Sequence, residues 1–181
     1  MYRLFVAIVL PESVKEAVSG IAGRELPGAR WIPREQLHLT LRFIGEADEE
    51  TFLAIKEALR TCRGTSFPLT MKGVGHFPPG RHPRVFWVGM AESEPLVALQ
   101  RQVESALIGA GIPPEERRFS PHITLARLKE TPAERVLALE ERHRQFNAGP
   151  FPVTEFYLYS STLTREGAIH KREASYPLGV P

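Results

Sequence analysis

The 181-residue sequence predicts an α+β fold of two pseudo-symmetric lobes around a central cleft. Three observations predict it. The pattern strand–helix–strand–helix–strand occurs twice along the chain. His38-Leu-Thr40-Leu41 and His122-Ile-Thr124-Leu125 stand 84 positions apart, each inside an alternating apolar run. "FPLT" from Phe67 and "FPVT" from Phe151 keep the same offset of 84, and "LFVAIV" and "VFWVGM" align at 81, a difference that a short insertion reconciles. Two copies of about 80 residues are too few and too long for a solenoid and suit one bilobal domain, its halves roughly 1–80 and 81–181.

The elements follow in order. "YRLFVAIVL" is a buried strand over 2–10, and its short apolar run, followed at once by proline and charge, argues against a signal peptide. "PESVKEAVSGIAGREL" opens on Pro with early acid and apolar residues at helical spacing, so it predicts a helix. "QLHLTLRFIG" alternates with period two and is a strand. "ADEETFLAIKEALRTC" is a helix with acid in its first turn. "FPLTMKGVGHF" and "RVFWVGM" are strands flanking the turn-rich "PPGRHP". "EPLVALQRQVESALIGAG" is a core-facing helix that stops at Gly. "FSPHITLARL" is a strand and "TPAERVLALEERHRQF" a helix. "FPVTEFYLYSSTL" and "AIHKREASYPL" are two closing strands.

Composition bounds the function classes. No run reaches the roughly 18 apolar residues that a membrane span needs. Cys62 is the one cysteine, which excludes an intramolecular disulfide and fits a reducing, cytoplasmic setting. The net charge of +2 is too small for a polycationic nucleic-acid coat. Arg outnumbers Lys 18 to 5. Codon usage explains that as well as phosphate binding does, although Arg suits bidentate phosphate contacts.

On a strand, residues i and i+2 face the same side. His38 and Thr40 therefore point together, as do His122 and Thr124, while Leu37, Leu39, Leu41, Ile123 and Leu125 face a core. A pseudo-twofold would set two imidazoles and two hydroxyls across one cleft. A neutral imidazole can take a proton from water while a charged one gives a proton to a leaving oxygen. Threonine hydroxyls can donate to the oxygens of a phosphoryl anion. The set suits in-line displacement at phosphorus with no metal or cofactor.

Six histidines and ten threonines make about a third of a His-x-Thr by chance, so a single copy means little. Two copies, in register with a duplicated "FP[LV]T", mean far more. Two duplicated core histidines are the bland alternative, and their polar face argues against it. Neither motif has the clustered partners of a zinc site. "GVGHFPPG" lacks the lysine and helix of a phosphate loop.

Paired His-x-Thr-hydrophobic motifs in a duplicated chain of this size resemble the 2H phosphoesterase superfamily. Within it, "RLFVAIVLP", "HLTLRFIG", "PRVFWVGM", "FSPHITLAR" and "YPL" resemble the RNA 2′,3′-cyclic phosphodiesterases, also called 2′-5′ RNA ligases. The resemblance implies two antiparallel sheets with helices on their outer faces. It also implies hydrolysis of an RNA terminal 2′,3′-cyclic phosphate to a 2′-phosphate, with His38 as general acid, His122 as general base, and Thr40 and Thr124 on the phosphate oxygens. The pseudo-symmetry alone leaves the acid and base unassigned. Reverse 2′-5′ ligation would use a ribose hydroxyl in place of water. The implied partner is RNA with a cyclic phosphate end, tRNA fragments among the candidates, with no membrane and no obligatory protein partner. The alternatives are another cyclic or 2′-5′-linked nucleotide, or a non-catalytic module that binds RNA ends.

Further candidates are weaker. Arg42, at i+4 from His38, is expected either in the cleft or as a rim charge. Arg127 sits in the family-like "HITLAR" but on the wrong face by strict alternation, unless the strand bulges after Leu125. Phe119 is either an RNA-stacking ring or a core residue. His76 and His82, with Arg81 and Arg84, either rim a cleft or belong to a solvated loop. His143 and His170 are expected at the surface, and Trp31 and Trp87 in packing.

Overall fold

The structure, a computed structural model, describes residues 1–21 and 26–181. Nine strands and four α-helices are described: β1 (Tyr2–Val9), α1 (Glu12–Ser19), β2 (Ala29–Trp31), β3 (His38–Ala47), α2 (Glu49–Ala58), β4 (Phe67–Phe77), β5 (Val85–Met90), α3 (Glu94–Gly109), β6 (Ile123–Leu128), α4 (Ala133–Arg142), β7 (Asn147–Val153), β8 (Glu155–Thr164) and β9 (Gly167–Pro177). The helix expected over 11–26 ends at Ser19, and its tail over 22–25 lies outside the described residues. Local chemistry accounts for several boundaries. The Asp48 carboxylate accepts from the Thr51 amide at 2.8 Å and starts α2. Ser93 caps α3 in the same way, through the Leu96 amide.

The strands form two antiparallel sheets, ordered β3-β1-β8-β9 and β2-β6-β5-β4-β7. Setting β2 aside, the two orders correspond strand by strand: β3 with β6, β1 with β5, β8 with β4. Each sheet therefore takes its third strand from the other half of the chain. The expected single strand over 151–163 is two strands. "FPV" ends β7 and pairs with "FPL" of β4, Phe67 opposite Val153. Past Thr154 the chain crosses to the other sheet as β8, beside β1. The short β2 has no counterpart among the expected elements, because three residues of mixed burial carry no readable period.

Alternation sorts each strand onto a core face and a cleft face. Leu4, Val6 and Ile8 of β1, with Leu39 of β3, are buried against the core, as are Phe86 and Val88 of β5 and Ile123 of β6. These residues and the apolar faces of the helices form one continuous cluster spanning both sheets. Helix α3 contributes to the closure by packing on α2, β3 and β4, so it touches both sheets. Strands β3 and β6, one from each sheet, are in contact with each other. This is what brings the two motifs together.

Candidate active site

His38 and Thr40 lie at the start of β3, and His122 immediately precedes β6, with Thr124 inside it. All four line a single cavity of about 450 Å³ between the sheets. The cavity wall also includes Arg3, Phe5, Gln36, Phe43, Arg127, Ser161 and His170.

The two histidines are held alike. Nδ1 of His38 lies 2.6 Å from the Gln36 carbonyl, and Nδ1 of His122 lies 2.7 Å from the Ser120 carbonyl. A carbonyl only accepts, so each Nδ1 carries the hydrogen and each Nε2 is left for chemistry. For His38 the carbonyl is presented by a 3-10 turn over Arg34–Gln36. The Thr40 hydroxyl lies 3.0 Å from His38 Nε2, within reach of both that nitrogen and the cavity.

Their surroundings differ. His38 packs against Phe5, with ring centroids 4.9 Å apart, and edge-on against His170 at 5.5 Å. Burial pushes its pKa down to about 4, against the pull of the Gln36 carbonyl, and charge on His170, His122 and Arg127 adds to the fall. His122 meets Phe77 edge-on at 5.0 Å and lies 6.4 Å from Trp87. Trp87 needs Gly75 beneath it, because a Cβ there would come within 2.3 Å of the indole ring. Desolvation lowers the pKa of His170 too.

A bulge decides the two arginine candidates. Opposite β1, Val6 pairs with Arg42 and Ala7 with Thr40, leaving Leu41 as the extra residue. Opposite β5, Phe86 pairs with Ala126 and Trp87 with Thr124, leaving Leu125 extra. The positions 84 apart thus bulge alike, and facing reverses beyond each of them. Arg127 turns out to the cleft, in keeping with the bulge alternative. Arg42 turns inward and is 7% exposed. This corrects its expected place in the cleft or at its rim. Its guanidinium grips Glu104 of α3 at 2.7 and 3.3 Å and donates to the Phe43 and Pro113 carbonyls. Burial raises the Glu104 carboxyl, but the Arg42 hydrogen bond, the Glu115 amide and the Arg42 charge outweigh it, so the net shift is downward.

Phe119 packs against the core and is not part of the cavity wall. His76 pairs with Glu140 of α4 at 2.5 Å and also stands outside that wall. Arg81, Arg84 and the loop around His82 lie outside it as well. His170, expected at the surface, is instead a cleft residue: β9 folds back on β8 with His170 opposite Ser161, on the side of His38. Phe5 and Phe43 are further cleft residues that the sequence does not single out, since an aromatic in an apolar strand gives no sign of which face it takes. Among the described residues no three His, Cys, Asp or Glu side chains converge as a metal site requires.

Two antiparallel sheets meeting at a cleft with a His–Thr pair from each are the architecture of a two-histidine phosphoesterase. A profile of the 2′-5′ RNA ligase superfamily matches residues 10–165. An RNA 2′,3′-cyclic phosphodiesterase of Thermotoga maritima is 39% identical over 174 residues, covering 93% of this chain and 91% of that protein. Among solved structures, TT0787 of Thermus thermophilus superposes with a TM-score of 0.78 at 31% identity, covering 98% of both chains. E. coli LigT in apo form superposes with a TM-score of 0.78 at 28% identity, again over 98% of both. The chain belongs to the 2′-5′ RNA ligase superfamily.

Proposed function

We propose that the protein hydrolyses the terminal 2′,3′-cyclic phosphate of RNA to a 2′-phosphate. The observation that carries the reading is the shared cavity. Two imidazoles, each with Nδ1 tied to a carbonyl two residues earlier and Nε2 left for chemistry, face it with two threonine hydroxyls. The relatives' activity supports the choice of substrate. In the reaction His122 Nε2 takes a proton as water attacks phosphorus. The P–O3′ bond breaks, and O3′ leaves with a proton from His38 Nε2. Thr40, Thr124 and Arg127 stabilise the non-bridging oxygens as charge builds on them. A ribose 5′-hydroxyl of a second strand in place of water would attack the same phosphorus, with P–O3′ again the bond that breaks and O3′ again protonated, and leave a 2′-5′ linkage.

An acid must be charged, and burial favours the neutral form of His38 at pH 7. The phosphodiester anion supplies the missing condition, because a negative charge close to the ring favours the imidazolium. The same low pKa favours a second reading in which the roles are exchanged, with His38 the base and His122 the acid. A substrate with sulfur in place of O3′ separates the two. A thiolate leaves without a proton, so it rescues the variant that lacks the acid. Rescue of His38→Ala supports the first assignment, rescue of His122→Ala the second. Turnover of a cyclic-ended oligonucleotide in EDTA, with the product identified as the 2′-phosphate, tests the activity. No turnover would overturn it and leave a module that binds RNA ends.

A further inference from the structure

The cleft face of the four-stranded sheet continues beyond the histidines. Register places Thr40, Ala7, Tyr157 and Ser175 in one row across β3, β1, β8 and β9. The next row runs through Phe5, Tyr159 and Arg172. Alternation puts Tyr157, Tyr159 and Ser161 on the side of His38, and Ser161 lines the cavity. The floor of this face is built from rings: Phe5 stacks on Tyr159 at 5.3 Å, and Tyr157 lies 6.0 Å from Tyr159.

Arg172 stands on that floor. Its guanidinium lies 3.8 Å from the centroid of Tyr157 and 5.9 Å from that of Tyr159. Its Nε and Nη2 donate to the Tyr159 hydroxyl at 3.4 and 3.2 Å. Tyr157 is fixed in turn, its hydroxyl donating to Glu155. Arg172 remains exposed, and among the described residues no carboxylate comes within ion-pair distance of it. One side of the guanidinium is thus covered by an aromatic ring, while the residue as a whole stays exposed. A freely mobile surface arginine would have to be ordered on binding; this one is ordered beforehand.

We propose that the Arg172 plane, backed by Tyr157 and edged by Tyr159, is a stacking subsite for the base of the nucleotide preceding the cyclic end, so that the protein selects single-stranded oligonucleotides over mononucleotides. Strand spacing sets the distance. Tyr157 and Tyr159 lie two strands from β3, about 10 Å, and Arg172 three strands, about 14 Å. The terminal ribose and its base occupy the nearer space, and the plane suits the next base. The open cation also complements the linking phosphate. Stacking on an aromatic or a guanidinium tolerates any base, because every base has a π-face. The face is continuous with the catalytic cleft, so one strand of RNA can cover both.

This inference rests on the proposed cyclic-phosphate hydrolysis, and its test separates the two. kcat/KM is measured for a mononucleoside 2′,3′-cyclic phosphate, a cyclic-ended dinucleotide, and the same dinucleotide with an abasic upstream position. The dinucleotide is expected to exceed the other two by about tenfold. Arg172→Ala should remove that advantage while leaving the mononucleotide rate within about twofold. Arg172→Lys, which keeps the charge and loses the plane, should not restore it. Equal rates on all three substrates would overturn the subsite. So would an abasic dinucleotide matching the intact one, or full rescue by lysine. No turnover of any substrate would instead overturn the hydrolysis.

Discussion

The two His-x-Thr-Leu strands are near copies in sequence, and the fold gives them different work. Both bulge at the leucine, and both send the next side chain inward and the one after it into the cleft. In the second copy those residues are Ala126 and Arg127, and a cation reaches the cavity. In the first they are Arg42 and Phe43, and the cation is held by Glu104 while a ring, with Arg3 lying 5.2 Å over it, lines the wall. The histidines diverge for a similar reason. His38 is closed in by Phe5 and by His170 from the far end of the chain, whereas His122 rests on Phe77 and Trp87. The repeated motif presents the groups in pairs, and unequal neighbours make the pairs unequal. The proposed relay of protons needs that inequality, because donor and acceptor cannot be in the same state.

The comparison breaks most directly at the histidines. His38→Ala and His122→Ala should each lower kcat by at least about 100-fold with the fold intact by circular dichroism. The double variant should be barely worse than the poorer single, because the residues act as a unit. Independent losses that multiply would refute a shared reaction centre.

The arginines should break in opposite ways. Arg42→Ala strands the Glu104 carboxylate in a low-exposure site and should destabilise the protein by about 3 kcal/mol, read as a lowered midpoint in urea, while kcat on folded protein is kept. Arg127→Ala should leave the midpoint unchanged and lower kcat/KM by about tenfold, mainly through kcat, the loss expected for a charge-assisted contact. An unchanged midpoint for Arg42→Ala would mean that the pair adds nothing to stability.

The threonines sharpen the comparison further. Thr40→Val and Thr124→Val should each cost about tenfold in kcat/KM, less than either histidine. Thr40→Val should be the worse of the two, since Thr40 also touches His38 Nε2. Equal losses would show that this contact is idle in the reaction.

The smallest effect is a titration. In the ligand-free protein the His38 ring should titrate near 4 by NMR and move upward when inorganic phosphate is added. The unfolded ring titrates at about 6.5, so unfolding at lower pH takes up a proton. The stability contributed by neutral His38 is therefore complete above a pH of about 6.5 and lost as pH falls towards 4. A free-protein value of about 6.5, unmoved by phosphate, would show that burial does not hold the His38 ring in its neutral form.

Strong local patterns carried much of this molecule into view before any coordinates. Period-two alternation in "HLTL" and "HITL" placed each His beside its Thr, and the offset of 84 made them partners across a cleft. Helix starts and stops followed from the proline before α1, the acids in the first turn of α2 and the glycine after α3, whose chemistry acts over three or four positions. What escaped depends on contacts that no local window holds. The break at Thr154, which divides one expected strand between two sheets, depends on which edges are free to be paired. The burial of Arg42 follows from one extra residue at Leu41 and a carboxylate 62 positions away. His170 enters the cleft only because β9 returns along β8, with 132 residues separating it from His38. Periodicity reports which side chains share a face; long-range pairing energy determines what that face meets.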